Sequence, residues 1–249
     1  IALISMIAAV ILLLVLIYTV PRNNDLTRSL GELRLLSQTI SNQATEATAS
    51  GSDESMKKLV ESQKKFAANL EIVKDTHASS KAVAGVEEIW KKVSNDITLI
   101  ASQQKLINEL YTTNIKIAEA IPGIQAEYNL MVDDMARNQM PANEVVIAKN
   151  QVFIAERILR SIGSVLSGSE NARESADDFN ADTETFGSYL NAQLNGSAEL
   201  AVPQIMHPNM RESLESIKVE YDSILKSASA SESVLKNTNQ IVKVRQASS

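Results

Sequence analysis

No cysteine occurs among the 249 residues, which excludes disulfide scaffolds, thiolate metal sites and cysteine nucleophiles. Histidine is almost as scarce, and His77 and His207 stand too far apart in sequence to suggest an imidazole-based metal centre. Neither a metal nor a cofactor is expected. Glycine numbers eight, about half of the ordinary usage of ~7%, and neither G-x-G-x-x-G nor G-x-x-x-x-G-K occurs. A phosphate-cradling α/β enzyme depends on such turns, nothing else reads as catalytic machinery, and the chain is not expected to be an enzyme. Aromatic residues make up 4%, and a net charge of −6 comes without any block of Lys and Arg. A nucleic-acid binder needs a basic footprint and stacking rings, so no nucleic-acid partner is expected.

One long apolar run is present. Ile1 to Val20 carries no charged residue, and at about 1.5 Å per residue this length crosses a hydrocarbon core of roughly 30 Å. Residues 1–20 therefore read as a transmembrane helix. The rival reading, a signal-peptide core, has typically about 7 to 15 apolar residues and then a small-residue cleavage site, which does not follow here.

Beyond residue 22 the apolar positions recur in alternating steps of three and four, the period of helices packed in left-handed bundles, and strand-like alternation is essentially absent. Leu26, Leu30, Leu33, Ile40 and Ala47 predict a first helix, stopped by Ser50-Gly51-Ser52-Asp53. Met56, Leu59, Phe66, Leu70 and Val73 predict a second, ending before His77. The longest track runs Val83, Val86, Trp90, Val93, Ile97, Ile100, Gln104, Ile107, Tyr111, Asn114, Ala118, Ile121, Gln125, Tyr128, Val132 and Met135. It predicts one very long helix over 81–139, or two in line, kinked at Pro122-Gly123 because proline removes a donor and clashes with the preceding turn. The stretch from Asn138 through Pro141 to Asn143 reads as the cap of a fourth helix that stops at Ser167-Gly168. A fifth runs from Ala172 to Asn195-Gly196. After a loop with Pro203 and Pro208, a last helix runs from Met210 past Val242.

Helix lengths at about 1.5 Å per residue suggest a topology. The expected fold is all-α: two stacked four-helix-bundle modules sharing a long central helix, behind the transmembrane helix. Residues 22–121 form the membrane-proximal module and 122–249 the distal one, with the last helix expected to continue into a second transmembrane helix outside this sequence. An internal repeat supports two modules. Glu32-Leu33-Arg34-Leu35-Leu36-Ser37 followed by Phe66-x-x-x-Leu70 parallels Glu156-Arg157-Ile158-Leu159-Arg160 followed by Phe186-x-x-x-Leu190. Each pair precedes an aromatic, in Val86-x-x-x-Trp90 and in Ile217-x-x-x-Tyr221.

A transmembrane helix, then Gly31-Glu32-Leu33-Arg34-Leu35-Leu36-Ser37-Gln38, then Phe66-x-x-x-Leu70, duplicated in a helical ectodomain, resembles the tandem sensor region of the PilJ family of type IV pilus methyl-accepting chemotaxis transducers. The resemblance implies a periplasmic signal-input domain of a homodimeric receptor of the bacterial inner membrane. It also implies control of twitching motility through a cytoplasmic histidine kinase and adaptor, reached by regions outside this sequence that would also carry the methylation sites. The first helix is similar as well to the nitrate-sensing domain of certain histidine kinases, where a G-x-L-R-x-x-S stretch places arginine at the dimer axis to hold an anion. Gly31, Leu33, Arg34 and Ser37 match that pattern, so Gly31, Arg34, Ser37 and Gln38 are the candidate ligand-binding residues. In the second copy Ile154 replaces the glycine, Glu156 the leucine and Arg160 the serine, which leaves Arg157 and Arg160 as weaker candidates.

Arg34 also stands out on physical grounds. Arg28 has Glu32 at i+4 and Arg160 has Glu156 at i−4, whereas Arg34 faces Leu30, Gly31, Ser37 and Gln38 with no carboxylate at helical spacing. In a parallel dimer two guanidinium forks would hold a small anion through charge-assisted bonds. The bland alternative is an arginine whose stem covers apolar surface while its head stays in water. Gln104, Asn114 and Gln125 read as register-fixing polar residues in an apolar seam. Trp90 and Tyr221 read as core anchors. Glu170, Glu174, Asp177, Asp178, Asp182 and Glu184 read as a solvated face. Two functions follow: a sensor answering to a small anion, a pilin subunit or mechanical load, or a structural coiled-coil membrane scaffold without ligand sensing.

Overall fold

Helix ends follow the glycines. In the computed structural model, which describes residues 24–77, 81–168, 171–226, 228 and 233–248, helix α1 (Asn24–Ser50) stops where Gly51 turns to φ +64° and its N–H donates to the Ala47 carbonyl at 2.9 Å. A left-handed residue at this place closes the last turn, and glycine adopts it without a Cβ penalty. Helix α2 (Asp53–His77) begins with Ser52 as its cap, the hydroxyl accepting from the Ser55 N–H at 3.2 Å. Then come α3 (Lys81–Ser102), α4 (Gln104–Arg137), α5 (Ala142–Ser167), α6 (Ala172–Asn195) and α7 (Pro208–Glu220). Helix α7 passes directly into a π-helical turn, Tyr221–Leu225, and α8 (Ser233–Ser248) ends the described chain. Among the described residues there is no strand, only an isolated bridge between Ser197 and Val202. The all-α expectation is met. The apolar segment 1–20 lies outside the described residues, and among those no helix is long and apolar enough to cross a membrane.

Four details differ from the sequence reading. The track over 81–139 forms two successive helices, but the interruption falls at Gln103 and not at Pro122, which is exposed and lies inside α4 without ending it. At the division the Ser102 hydroxyl takes the Leu99 carbonyl at 2.7 Å and the Gln103 N–H is shared between Leu99 and Ile100, so local competition tightens the turn. A lone proline removes only one bond of the ladder. Secondly, after Ile107 the buried positions of α4 are Leu110, Ile117, Ala120, Ile121, Ile124, Tyr128, Met131 and Met135. The expected Ile121, Tyr128 and Met135 are buried, whereas Tyr111, Asn114, Ala118, Gln125 and Val132 are exposed or half-buried, because the step of three from Ile107 to Leu110 moves the buried face by one residue between those positions. Burying aliphatic groups on this face avoids desolvating two amides that would then need partners. Thirdly, α5 has Pro141 at its cap position and no side-chain cap, so Asn143 does not play that part. Fourthly, the last helix is not uninterrupted α-helix but carries the π turn at Tyr221–Leu225.

The chain divides into two compact units. The first comprises the described residues up to Glu109 together with those from Gln240 on; the second runs from Leu110 to Asn239. In the first, Leu33, Ile40, Leu59, Phe66, Ile97, Ile100 and Val244 belong to one apolar core. The turn between α1 and α2 is held on the start of α4, where the Gln104 amide donates to Asp53 Oδ1 at 2.6 Å and the Asn108 amide to the Ser50 carbonyl at 3.3 Å. Gln63 of α2 donates to the carbonyl and hydroxyl of Ser94 in α3, at 3.0 and 2.9 Å. Arg245 of α8 reaches the Thr48 hydroxyl at 3.2 Å.

In the second unit the core is built by Ile124 and Tyr128 of α4, Ala155, Ile158 and Ile162 of α5, Phe179, Phe186 and Leu190 of α6, and Leu214 and Ile217 of α7. The aromatics of the sequence repeat meet in both units. Phe66 stacks on Trp90 with centroids 4.1 Å apart, and Phe186 on Tyr221 at 5.8 Å. Gly187 makes the second stack possible, because a Cβ there would overlap the Tyr221 hydroxyl.

Gly51 and Gly31 give a controlled comparison. A Cβ on Gly51 would lie 2.6 Å from the Asn108 backbone nitrogen, whereas one on Gly31 would meet nothing within 4 Å. Gly51→Ala is expected to lower unfolding free energy by about 1–3 kcal/mol through strain and overpacking. Gly31→Ala is expected to raise it by about 0.5–1 kcal/mol, as alanine in an exposed helix interior does. Urea denaturation of the two variants checks both signs.

Candidate functional site

Helix α1 turns two different faces outward and inward. Leu33, Leu36 and Ser37 are buried, whereas Gly31, Arg34, Leu35 and Gln38 are exposed and follow one another at helical spacing as a single stripe. Leu35, 61% exposed, gives that stripe an apolar member beside the charge. The Arg34 guanidinium has no ion pair or hydrogen bond among the described residues. The pair expected between Arg28 and Glu32 does not form either, since an exposed i,i+4 pair gains only about 0.3–0.5 kcal/mol against the entropy of two long side chains. Ser37 donates its hydroxyl to the Arg34 carbonyl at 2.7 Å. That hydroxyl is committed to its own helix and lies off the exposed stripe. Three of the four candidate residues are thus side by side on the surface and the fourth is under them.

The second unit treats its arginines differently. Arg157 forks onto Asp182, its Nε donating to Oδ2 at 3.0 Å and its Nη2 to Oδ1. The Asp182 side chain is 6% exposed, so it does not belong to the solvated face on which its neighbours lie. Its spacing from Phe179 and Phe186 along α6 was the signal that could have placed it inside. Burial pushes the Asp182 carboxyl above its ordinary 3.8, the Arg157 charge and hydrogen bond work against that, and Asp178 adds to it. Arg160 pairs with Glu156 at 2.9 Å, as the spacing predicts. Both candidate arginines of this unit are therefore neutralised by carboxylates of the chain itself, and Arg34 is the one whose donors stay open to a ligand.

Two further features had no counterpart in the sequence reading. A groove of about 400 Å³ between α4 and the end of α7 is lined by Lys116, Glu119, Gly123, Glu127, Ser216 and Glu220. Inside the second unit, Tyr128 donates its hydroxyl to Gln193 Oε1 at 2.9 Å, and Gln151 Nε2 donates to the Tyr128 oxygen at 3.2 Å and to the Phe186 carbonyl at 2.9 Å. Burial pushes the Tyr128 phenol far above its ordinary value. No group of acidic or imidazole side chains among the described residues could hold a metal ion.

No protein-family model matches the chain. It is 30% identical, over 224 residues and 90% of its own length, to AlkN, a protein of Alcanivorax borkumensis named for methyl-accepting chemotaxis. It is 30% identical over 227 residues, 87% of its length, to the protein PilJ of Pseudomonas aeruginosa. The chain spans about a third of the length of each of these curated relatives, 33% in both cases.

The contrast between the two arginines predicts opposite costs of removal. Arg157→Ala leaves a buried carboxylate without its partner and is expected to cost about 1–3 kcal/mol. Arg34→Ala is expected to stay within about 0.5 kcal/mol of wild type, as surface changes do. Because the folded pKa of Asp182 is raised, the folded state binds that proton more tightly than the unfolded chain. Its contribution to stability is fully present below the ordinary 3.8 and is lost as pH rises through the raised value. Unfolding free energy measured against pH is expected to lose that downward step in Asp182→Asn.

Proposed function

From a chain that is a relative of the PilJ-like methyl-accepting chemotaxis transducers along about nine-tenths of its length, we propose that it is the signal-input region of a transmembrane chemotaxis receptor. The observation that carries this reading is the extent of the relationship, which runs through both helical units and is not confined to one motif. In this reading the region after residue 21 lies in the periplasm of a bacterial inner-membrane receptor. Regions outside the sequence pass the signal to a cytoplasmic histidine kinase and its adaptor, and so to twitching motility. The region works without catalysis, by having different affinity for its stimulus in two states of the helical array.

The proposed ligand site is the stripe Gly31, Arg34, Gln38 of α1. Its support is Arg34, whose guanidinium is neutralised by no carboxylate among the described residues, next to an exposed Leu35 that offers apolar surface to a second copy. In a homodimer packed through this stripe two guanidinium forks would face one small anion, whose charge offsets their mutual repulsion. Ser37 would act from beneath, through its bond to the Arg34 carbonyl.

Thermal shift and calorimetry of the chain against small anions and purified pilin, with Arg34→Ala alongside, test this. An anion at 100 times its dissociation constant is expected to add about 2.7 kcal/mol of apparent stability to wild type and nothing to the variant. Pilin binding that ignores Arg34, with no response to anions, would replace the solute-sensing site by a protein-contact or mechanical sensor. Absence of any response would leave the scaffold reading in its place.

A further inference from the structure

The interior of the second unit contains two complementary orphans. Gln151 and Gln193 are each only 1% exposed, and Gln151 Oε1 and Gln193 Nε2 have no hydrogen-bonding partner among the described residues. One is an acceptor and the other a donor. Both belong to amides bonded to the same atom, the Tyr128 hydroxyl oxygen, which gives its proton to Gln193 Oε1 and accepts from Gln151 Nε2.

Reversing an amide does not remove the orphans. If Gln151 were turned round, its oxygen would face the Phe186 carbonyl, which now accepts from Gln151 Nε2 at 2.9 Å, and two acceptors would oppose each other. If Gln193 were turned round, its NH₂ would face a hydroxyl already accepting from Gln151, and the Tyr128 proton would lose its acceptor. The direction of the chain, from Gln151 to Tyr128 to Gln193 Oε1, is therefore set by its one fixed acceptor, the Phe186 carbonyl. A buried acceptor and a buried donor left over by such a chain are each costly, and interiors ordinarily satisfy them.

We infer that this core holds one buried water molecule, donating to Gln151 Oε1 and accepting from Gln193 Nε2. Water is the smallest species that carries a donor and an acceptor at once, and polar interior sites with several partners are where buried water is found. The register of the repeat sharpens the inference. Counting three residues on from Leu70 and from Leu190, the first unit places Val73, itself buried, where the second places Gln193. The node thus has no counterpart at that position of the first unit, and it joins α4, α5 and α6 through Tyr128, Gln151 and Gln193.

A high-resolution crystal structure of the chain, together with water–amide exchange spectroscopy of the two glutamine side chains in solution, tests this. The expected result is one solvent peak within hydrogen-bond distance of both Gln151 Oε1 and Gln193 Nε2, and cross-peaks between both side-chain amides and a long-lived water. Gln193→Val, which copies the first unit, is expected to lose the peak and the cross-peak to Gln151. The inference fails if wild type shows no such peak, if either orphan is found bonded to a protein group, or if two separate waters serve the two atoms. The wild-type measurement decides the matter even should the variant not fold.

Discussion

The packing of the second unit depends on Phe186. Its ring lies edge-on to Tyr128 at 5.9 Å and stacked on Tyr221 at 5.8 Å, and its carbonyl is the acceptor that orients Gln151. Groups from α4, α5, α6 and the π turn after α7 thus meet at one residue. In a chain with 4% aromatics most seams are aliphatic and narrow, and slide easily by one residue. A large ring has one position in which its faces and edge are all used, so it sets the register of the helices around it. Gly187 next to it is part of the same arrangement, since any side chain there would displace Tyr221.

The first unit uses the same device with different chemistry. Phe66 and Trp90 stack at 4.1 Å, but the neighbouring core is aliphatic, with Leu59, Leu70 and Val73. Polar fixation lies at its rim instead, in Gln63 on Ser94, Gln104 on Asp53 and Asn108 on Ser50. One supersecondary pattern is stabilised at the surface in one unit and through a buried polar chain in the other.

The arginines show the same divergence. Arg157 reaches across to α6 and takes a buried carboxylate, so its charge serves the packing of its own unit. Arg34 has Leu30, Gly31, Ser37 and Gln38 at its helical neighbours and is exposed to solvent. A guanidinium without a carboxylate among the described residues is available for an anion from outside, whereas one already forked onto Asp would have to surrender that pair first.

Much of this was legible in the sequence, and for a local reason. Helix ends at Gly51, Gly168 and Gly196 are written by residues that tolerate unusual backbone angles, and the repeated aromatics are large enough to stand out at any register. The absence of a carboxylate around Arg34 is likewise a matter of spacing within one helix. What the tertiary structure alone decided concerns competition between adjacent faces. Whether Leu110 or Tyr111 is buried, whether Asp182 points to solvent or to Arg157, and whether Gln193 meets Tyr128 depend on what the other helices present. The break at Gln103 belongs to the same class, because a one-residue shift in the buried seam follows it. A 3.6-residue period leaves two neighbouring stripes nearly equal in apolar content, and only the partner helices, with their own rings and carboxylates, distinguish between them.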